Sequence, residues 1–102
     1  MKVKYNNVLN ICPVCGYDDL SEPPYDKYNE PSYEICPCCG FEFGYDDFYK
    51  HYTFKDFREK WIKEGAKLFN KERFSRNWNE SEMIKQLKNI ELVKFYEPLL
   101  RD

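Results

Sequence analysis

Two short runs of this chain, Cys12-Pro13-Val14-Cys15-Gly16 and Cys36-Pro37-Cys38-Cys39-Gly40, repeat one pattern, Cys-Pro-x-Cys-Gly, with 20 residues between Cys15 and Cys36. Two cysteines two residues apart can aim both sulfurs at one ion, at about 2.3 Å each, and two such pairs complete a tetrahedron. The proline fixes φ at about −65° where the turn begins and removes a backbone donor. The glycine takes φ > 0, so the backbone folds back and its N–H groups face the thiolates. Four thiolates around a divalent ion carry a net charge of about −2, and those N–H groups orient and tune the site. Cys12, Cys15, Cys36 and Cys39 are the expected ligands of one shared metal, at the edge of the spacing window for a four-thiolate zinc site.

The fifth cysteine, Cys38, fills the free position of the second knuckle, where Val14 sits in the first. It reads as a reduced thiol pointing away from the metal, with a spare ligand or redox-active thiol as the alternative. An odd cysteine count argues against a disulfide framework. His51, the only histidine, would be redundant beside four thiolates and reads as a half-exposed linker residue.

Two other groups of residues invite a chemical reading. Gly16-Tyr17-Asp18-Asp19 and Gly44-Tyr45-Asp46-Asp47 place paired carboxylates at similar intervals after each knuckle. A solvated acidic rim is expected there rather than general acid–base catalysis. Lys67, Lys71, Arg73 and Arg76 interleave with Phe69, Phe74 and Trp78, a mixture that could grip single-stranded nucleic acid. The acidic knuckle region beside it would repel phosphates, so core aromatics and a solvated basic surface are the expected reading. No phosphate-binding glycine loop, nucleophile elbow or His-Glu-x-x-His run is present, which leaves standard hydrolase and nucleotide sites without support.

These side chains must be positioned by a small scaffold. The chain has 102 residues, 42% of them apolar and 19% aromatic, a mean hydropathy of −0.83 and a net charge of −2. That is a globular composition, too aromatic for disorder, and a chain this short gains much from a metal staple. No apolar run reaches the roughly 18 residues of a membrane span, and no apolar segment of the secretory type follows the basic N-terminus, so a cytoplasmic protein is expected. Residues 1–47 hold every cysteine, with three basic and nine acidic residues; residues 48–102 hold 13 basic and nine acidic. The division predicts a metal-binding ribbon over 1–47 and a helical extension over 48–102 packed on it, drawn together by opposite charge.

Within the ribbon, Asn7 to Ile11 is expected to be extended, and Tyr33-Glu34-Ile35 with Phe41-Glu42-Phe43 to form a β-hairpin around the second knuckle. Ser21 to Pro31, rich in proline, reads as a loop whose Tyr25 and Tyr28 cover the hairpin or a partner. In the extension, Thr53 and Asp56 form a capping box. Phe54, Phe57, Trp61, Ile62, Leu68 and Phe69 make one apolar stripe over about four helical turns, with Gly65 on it for close packing. A second helix follows Asn79 or Ser81, with Met83, Ile84, Leu87 and Ile90 on one face. Leu92, Val93, Phe95 and Tyr96 extend it until Pro98 stops it.

The run from Ile11 to Tyr17, then Tyr33 to Phe41, resembles the cysteine-rich CPCC family of small bacterial proteins. Trp61 to Gly65, Phe69, Trp78 and Gln86 to Ile90 are similar to that family's tail. The resemblance implies a metal-ribbon fold and no established activity. The knuckles also resemble those of rubredoxin, a one-iron electron carrier, from which this chain departs in its shorter spacer and added helices. The fold expected is α+β: a small rubredoxin-like zinc ribbon, two knuckles and a β-hairpin, packed against two or three C-terminal helices. The function expected is a non-enzymatic protein-binding module, adaptor or immunity-like, with a structural Zn²⁺ on Cys12, Cys15, Cys36 and Cys39. A one-iron electron carrier and a single-stranded nucleic-acid binder are the alternatives. A protein partner is expected, with neither nucleic acid nor a membrane favoured.

Overall fold

The structure, a computed structural model, describes residues 10–94. Four helices follow one another in its second part: α1 (Phe54–Lys63), α2 (Lys71–Phe74), α3 (Glu80–Leu87) and α4 (Ile90–Lys94). Among the described residues, extended pairing is confined to two isolated antiparallel bridges, Tyr25 with Pro31 and Ile35 with Glu42. Beyond these bridges the expected rubredoxin-like ribbon with its β-hairpin is not shown among the described residues. The physical reason lies at the hairpin's ends. Cys36 N–H donates to Phe41 O (3.0 Å) and Phe43 N–H to Glu34 O (3.2 Å), but Tyr33 at φ 62° and Gly44 at φ 102° then turn both chains out of register. Residue Asn7, expected to lead an extended segment, lies outside the described residues, and Asn10 and Ile11 belong to no strand.

Local chemistry sets the helix starts. Thr53 caps α1, its hydroxyl accepting from Asp56 N–H at 3.0 Å, and the Asn79 side chain accepts from Glu82 N–H at 2.9 Å at the head of α3. The stop of α1 differs from the expected four-turn stripe. Gly65 (φ 103°) and Ala66 (φ 49°) take left-handed conformations directly after the cap residue Glu64, and Ala66 N–H closes back on Trp61 O at 2.8 Å. Leu68 and Phe69 therefore lie beyond the helix. Gly65 serves the turn and not close packing, since the nearest atom to a Cβ built there is 3.7 Å away.

The second expected helix is likewise divided, breaking at Lys88 and Asn89 before α4. Its buried face also differs. Ile84 is 50% exposed, whereas Gln86 is buried at 8%. Phe95, Tyr96 and Pro98, expected to finish this helix, lie outside the described residues.

Aromatic rings join the two parts of the chain. Tyr17 and Phe41 directly follow the knuckle glycines, and both are buried. Phe41 meets Phe54 and Phe57 of α1 edge-on, with centroids 5.7 and 5.0 Å away. Tyr17 lies 5.5 Å from Phe74, which stands edge-on to Trp78 at 5.1 Å. Tyr25 packs on Phe43 and Phe54, while Tyr28 is exposed. Each fully buried ring of this size contributes about 1.5–3 kcal/mol relative to exposure, so the fold rests on aromatic burial around the cysteines.

Candidate metal centre

Cys12, Cys15, Cys36 and Cys39 are brought together with all four sulfurs within 4.8 Å of one another, every one buried and none in a disulfide. Cys12 Sγ and Cys39 Sγ are 3.8 Å apart, and Cys15 Sγ and Cys36 Sγ 3.7 Å. Thiolates at about 2.3 Å from a common tetrahedral ion stand about 3.8 Å from each other, so the sulfurs fit a single ion of zinc or iron size. The distances also explain the two knuckles' matching backbone. Cys12 N–H donates to Tyr17 O and Gly16 N–H to Cys12 O, both at 2.8 Å; Cys36 N–H donates to Phe41 O at 3.0 Å and Gly40 N–H to Cys36 O at 2.8 Å. Gly16 and Gly40 close these turns at φ 86° and 83°.

Each turn points donors inward and carbonyls outward. Val14 N–H faces Cys12 Sγ at 3.4 Å. The outward carbonyls are met by donors from the second part of the chain. Arg58 of α1 donates through Nε to Val14 O (2.7 Å) and through Nη2 to Pro13 O (2.8 Å). Gln86 Nε2 of α3 donates to Cys15 O (3.1 Å), and Asn89 Nδ2 to Gly16 O (2.9 Å). On the second knuckle, Pro37 O accepts from Phe69 N–H at 3.1 Å and Asn70 N–H at 2.8 Å. These donors let buried loops remain loops, because buried carbonyls without partners would be costly.

The titration of the thiols follows from this burial. Burial pushes Cys15 and Cys39 well above the ordinary thiol range and Cys12 above it. Burial also opposes ionisation of Cys36, but hydrogen bonds from Cys12, Cys15 and Cys39 outweigh it and hold that thiol well below its ordinary value. Four like charges cannot share so small and dry a space without a cation, so the cluster alone must keep protons. A divalent ion would replace those protons.

The remaining candidates fall elsewhere. Cys38 is buried but is not one of the four; its Sγ accepts from Gln86 Nε2 at 3.3 Å. His51 is exposed, in a left-handed conformation (φ 63°), and is not among the clustered ligands. Asp46 and Asp47 depart from the expected solvated rim. Asp46 is buried and accepts from Glu42 N–H at 2.8 Å, while Asp47 accepts from Gly44 N–H at 2.8 Å, Phe48 N–H at 2.9 Å and the Tyr25 hydroxyl. They cap turns after the second knuckle. Asp18 and Asp19 are exposed as expected.

Two basic residues of the helical part, Arg73 and Arg76, turn towards the acidic knuckle region. Arg73 Nη2 lies 2.7 Å from Glu34 Oε2, and Arg76 Nη2 2.7 Å from Asp18 Oδ1. The bond to Glu34 raises the Arg73 pKa further, and for Arg76 the pairing with Asp18 outweighs a burial cost that would lower it. Phe74 is buried and Trp78 half-buried, leaving Phe69 as the exposed ring of that series at 60%. Sequence reasoning gave Arg58 no role and named Gln86 and Asn89 only within the run that resembles the family's tail, since no local pattern marks them as donors to the knuckles.

Fold and site together define a small protein of helices and loops, with almost no strand among the described residues, built around a buried four-cysteine cluster compatible with a metal ion. The chain is 31% identical over 104 aligned positions to the uncharacterized protein YoaQ of Bacillus subtilis, covering 88% of this chain and 80% of that protein. It is 30% identical over 108 positions to the uncharacterized protein YozI of the same organism, with 91% and 81% covered. The chain belongs to the family of these two proteins. No family model matches the chain, and no solved structure does. Among the described residues no helix is long and apolar enough to cross a membrane.

Proposed function

We propose that this protein is a non-enzymatic binding module whose knuckles are held by a structural Zn²⁺ on Cys12, Cys15, Cys36 and Cys39, acting in the cytoplasm on a protein partner. The observation that carries the reading is the sulfur cluster itself, with S–S separations of 3.7–3.8 Å in full burial. Four protein ligands leave no coordination position for water or substrate, which is the pattern of structural zinc and not of hydrolytic zinc. Bound there, the ion would supply charge neutralisation and a cross-link between the two knuckles, and hence folding free energy. The paired Cys-Pro-x-Cys-Gly turns support a place in the cysteine-rich CPCC family and a rubredoxin-like arrangement of the two loops.

A one-iron electron carrier is the second reading, favoured by the matching hydrogen bonds of the two knuckles, since iron accepts the same four thiolates. Single-stranded nucleic-acid binding loses support from Arg73 and Arg76, whose charges are paired with Glu34 and Asp18. Metal analysis of protein purified without added metal separates the first two. About one zinc per chain and no visible colour supports the structural reading. About one iron with thiolate-to-iron absorption, repeated on protein from its own host, moves the assignment to electron transfer. A folded chain with neither metal ends both.

A further inference from the structure

Gly16-Tyr17-Asp18-Asp19 and Gly44-Tyr45-Asp46-Asp47 are the same four residue types in the same order. The first copy is filled by an arginine of the chain itself. The Arg76 guanidinium lies 5.1 Å from the Tyr17 ring centroid and 5.7 Å from that of Phe74, while its Nη2 donates to Asp18 Oδ1 at 2.7 Å. An arginine stacked on aromatic faces and held at its edge by a carboxylate combines cation–π attraction with a charge-assisted hydrogen bond.

The second copy offers aromatic faces and carboxylates without an arginine. Tyr45 is 42% exposed, and the cation over its ring is Lys50, 5.4 Å from the centroid and 4.0 Å from Asp46. The Tyr49 ring stands 5.8 Å from that of Tyr45, and Tyr33 packs against Gly44, where an added Cβ would meet its ring at 2.5 Å. Tyr33, Phe48 and Tyr49 are 58%, 51% and 72% exposed. Among the described residues, Glu30 and Glu42 of this stretch form no ion pair, whereas Asp47 is taken up by Gly44 N–H, Phe48 N–H and the Tyr25 hydroxyl. Exposed aromatics gathered in one place mark an interaction surface, and the surplus of carboxylates selects a cationic occupant.

We propose that the face formed by Tyr33, Tyr45, Phe48 and Tyr49 docks an arginine-rich segment of a partner protein, the rings stacking guanidinium groups and Glu30 and Glu42 supplying the carboxylates. Arginine fits better than lysine because its planar, weakly hydrated cation stacks on rings while its edge still donates to carboxylates. Nucleic acid would be repelled by the same charges. The proposal rests on the binding-module reading and names that module's surface and partner chemistry.

The test uses the full chain, labelled with ¹⁵N, its metal content measured on the same sample. It is titrated with a synthetic peptide of four Gly-Arg-Ala repeats and with versions carrying lysine or glutamate in place of arginine. Saturable shifts of the amides of residues 30–50, with the arginine peptide bound about three-fold or more tighter than the lysine peptide, support the surface. Tyr49→Ala, at the most exposed ring, should weaken binding about three-fold while leaving the spectrum dispersed and the metal content unchanged. No saturable shift up to about 1 mM peptide overturns the proposal. So do equal shifts with arginine and lysine that Tyr49→Ala leaves unchanged, which would reflect counter-ions on an acidic surface. Concentration-dependent shifts of the same amides without peptide would assign the face to a second copy of the chain and overturn it too. Arginine-peptide binding by metal-free protein supports the surface and removes the metal reading; a metal-bound chain that ignores the peptide does the reverse.

Discussion

Gln86 donates from its side-chain amide to the carbonyl of Cys15 at 3.1 Å, across 71 residues of sequence, and its Nε2 also faces Cys38 Sγ at 3.3 Å. One polar residue of α3 thereby touches both knuckles. Gly16 lies so close beneath it that an added Cβ would meet Gln86 O at 2.1 Å. Local hydrophobic periodicity cannot anticipate this, because the demand for a donor comes from a carbonyl on another part of the chain.

Gln86→Leu keeps the volume and removes the donor. It should cost about 1–3 kcal/mol in denaturant unfolding of the metal-bound protein, the penalty of leaving a buried carbonyl unpaired, with about one metal per chain retained. Gly16→Ala should cost more than Gln86→Leu, since it combines strain at φ 86° with a displaced helix. Equal stability of Gln86→Leu and wild type would show that the Cys15 carbonyl finds water instead.

Removing the metal should unfold the knuckles, because extended pairing among the described residues is confined to isolated bridges and the ion would supply a cross-link between the two turns. Near-UV dichroism of the aromatic core, followed during chelation, measures this. The pH dependence has a definite sign. Burial raises Cys12, Cys15 and Cys39, whereas hydrogen bonds from the other three thiols lower Cys36. Ligating thiols must be deprotonated, so metal binding releases protons: affinity rises with pH and is lost on acidification. A competition assay with a coloured chelator between pH 6 and 8 gives the slope; a slope near zero would mean that the thiols are already ionised without metal.

The parts of the fold legible in the sequence are those fixed by chemistry within a few residues. Cys-Pro-x-Cys-Gly dictates its own turn, and Thr53 and Asn79 carry their own capping oxygens. The end of α1 was also readable, since Gly65 two residues after Lys63 signals a left-handed stop; the continuing apolar residues Leu68 and Phe69 masked it. The hairpin over-reached because alternating Tyr33-Glu34-Ile35 looks extended while Tyr33 itself is at φ 62°. Ile84 and Gln86 exchanged roles for a tertiary reason: α3 docks on outward carbonyls, so its buried position calls for an amide.

The charge division along the chain is expressed chiefly through Glu34. Its carboxylate accepts from Arg73 Nη2 at 2.7 Å and from Ser21 N–H at 2.9 Å, and its side chain is 10% exposed. Arg73 is 34% exposed, so solvent screens the pair and its coupling in a double-mutant cycle of Glu34→Ala and Arg73→Ala should be about 1 kcal/mol. The coupling should shrink between low salt and about 1 M salt. Glu34→Ala alone should cost more than Arg73→Ala, since it also leaves the Ser21 N–H without its acceptor.

Cys38 is the most direct test of which sulfurs belong to the cluster. It adjoins Cys39, is fully buried, and sits where Val14 sits in the first knuckle. Val14 shows that a branched apolar side chain fits a turn of this geometry, so Cys38→Val should bind about one metal per chain. It removes one of the two acceptors facing Gln86 Nε2 but leaves the Cys15 carbonyl, which limits the loss to about 1 kcal/mol. Cys39→Ser, the smaller chemical change, should nevertheless lose the metal at micromolar chelator, because it deletes a thiolate from the tetrahedron. Metal per chain after chelation measures both. Retention by Cys39→Ser with loss by Cys38→Val would exchange the roles of the adjacent cysteines and require the second knuckle to rotate by one residue.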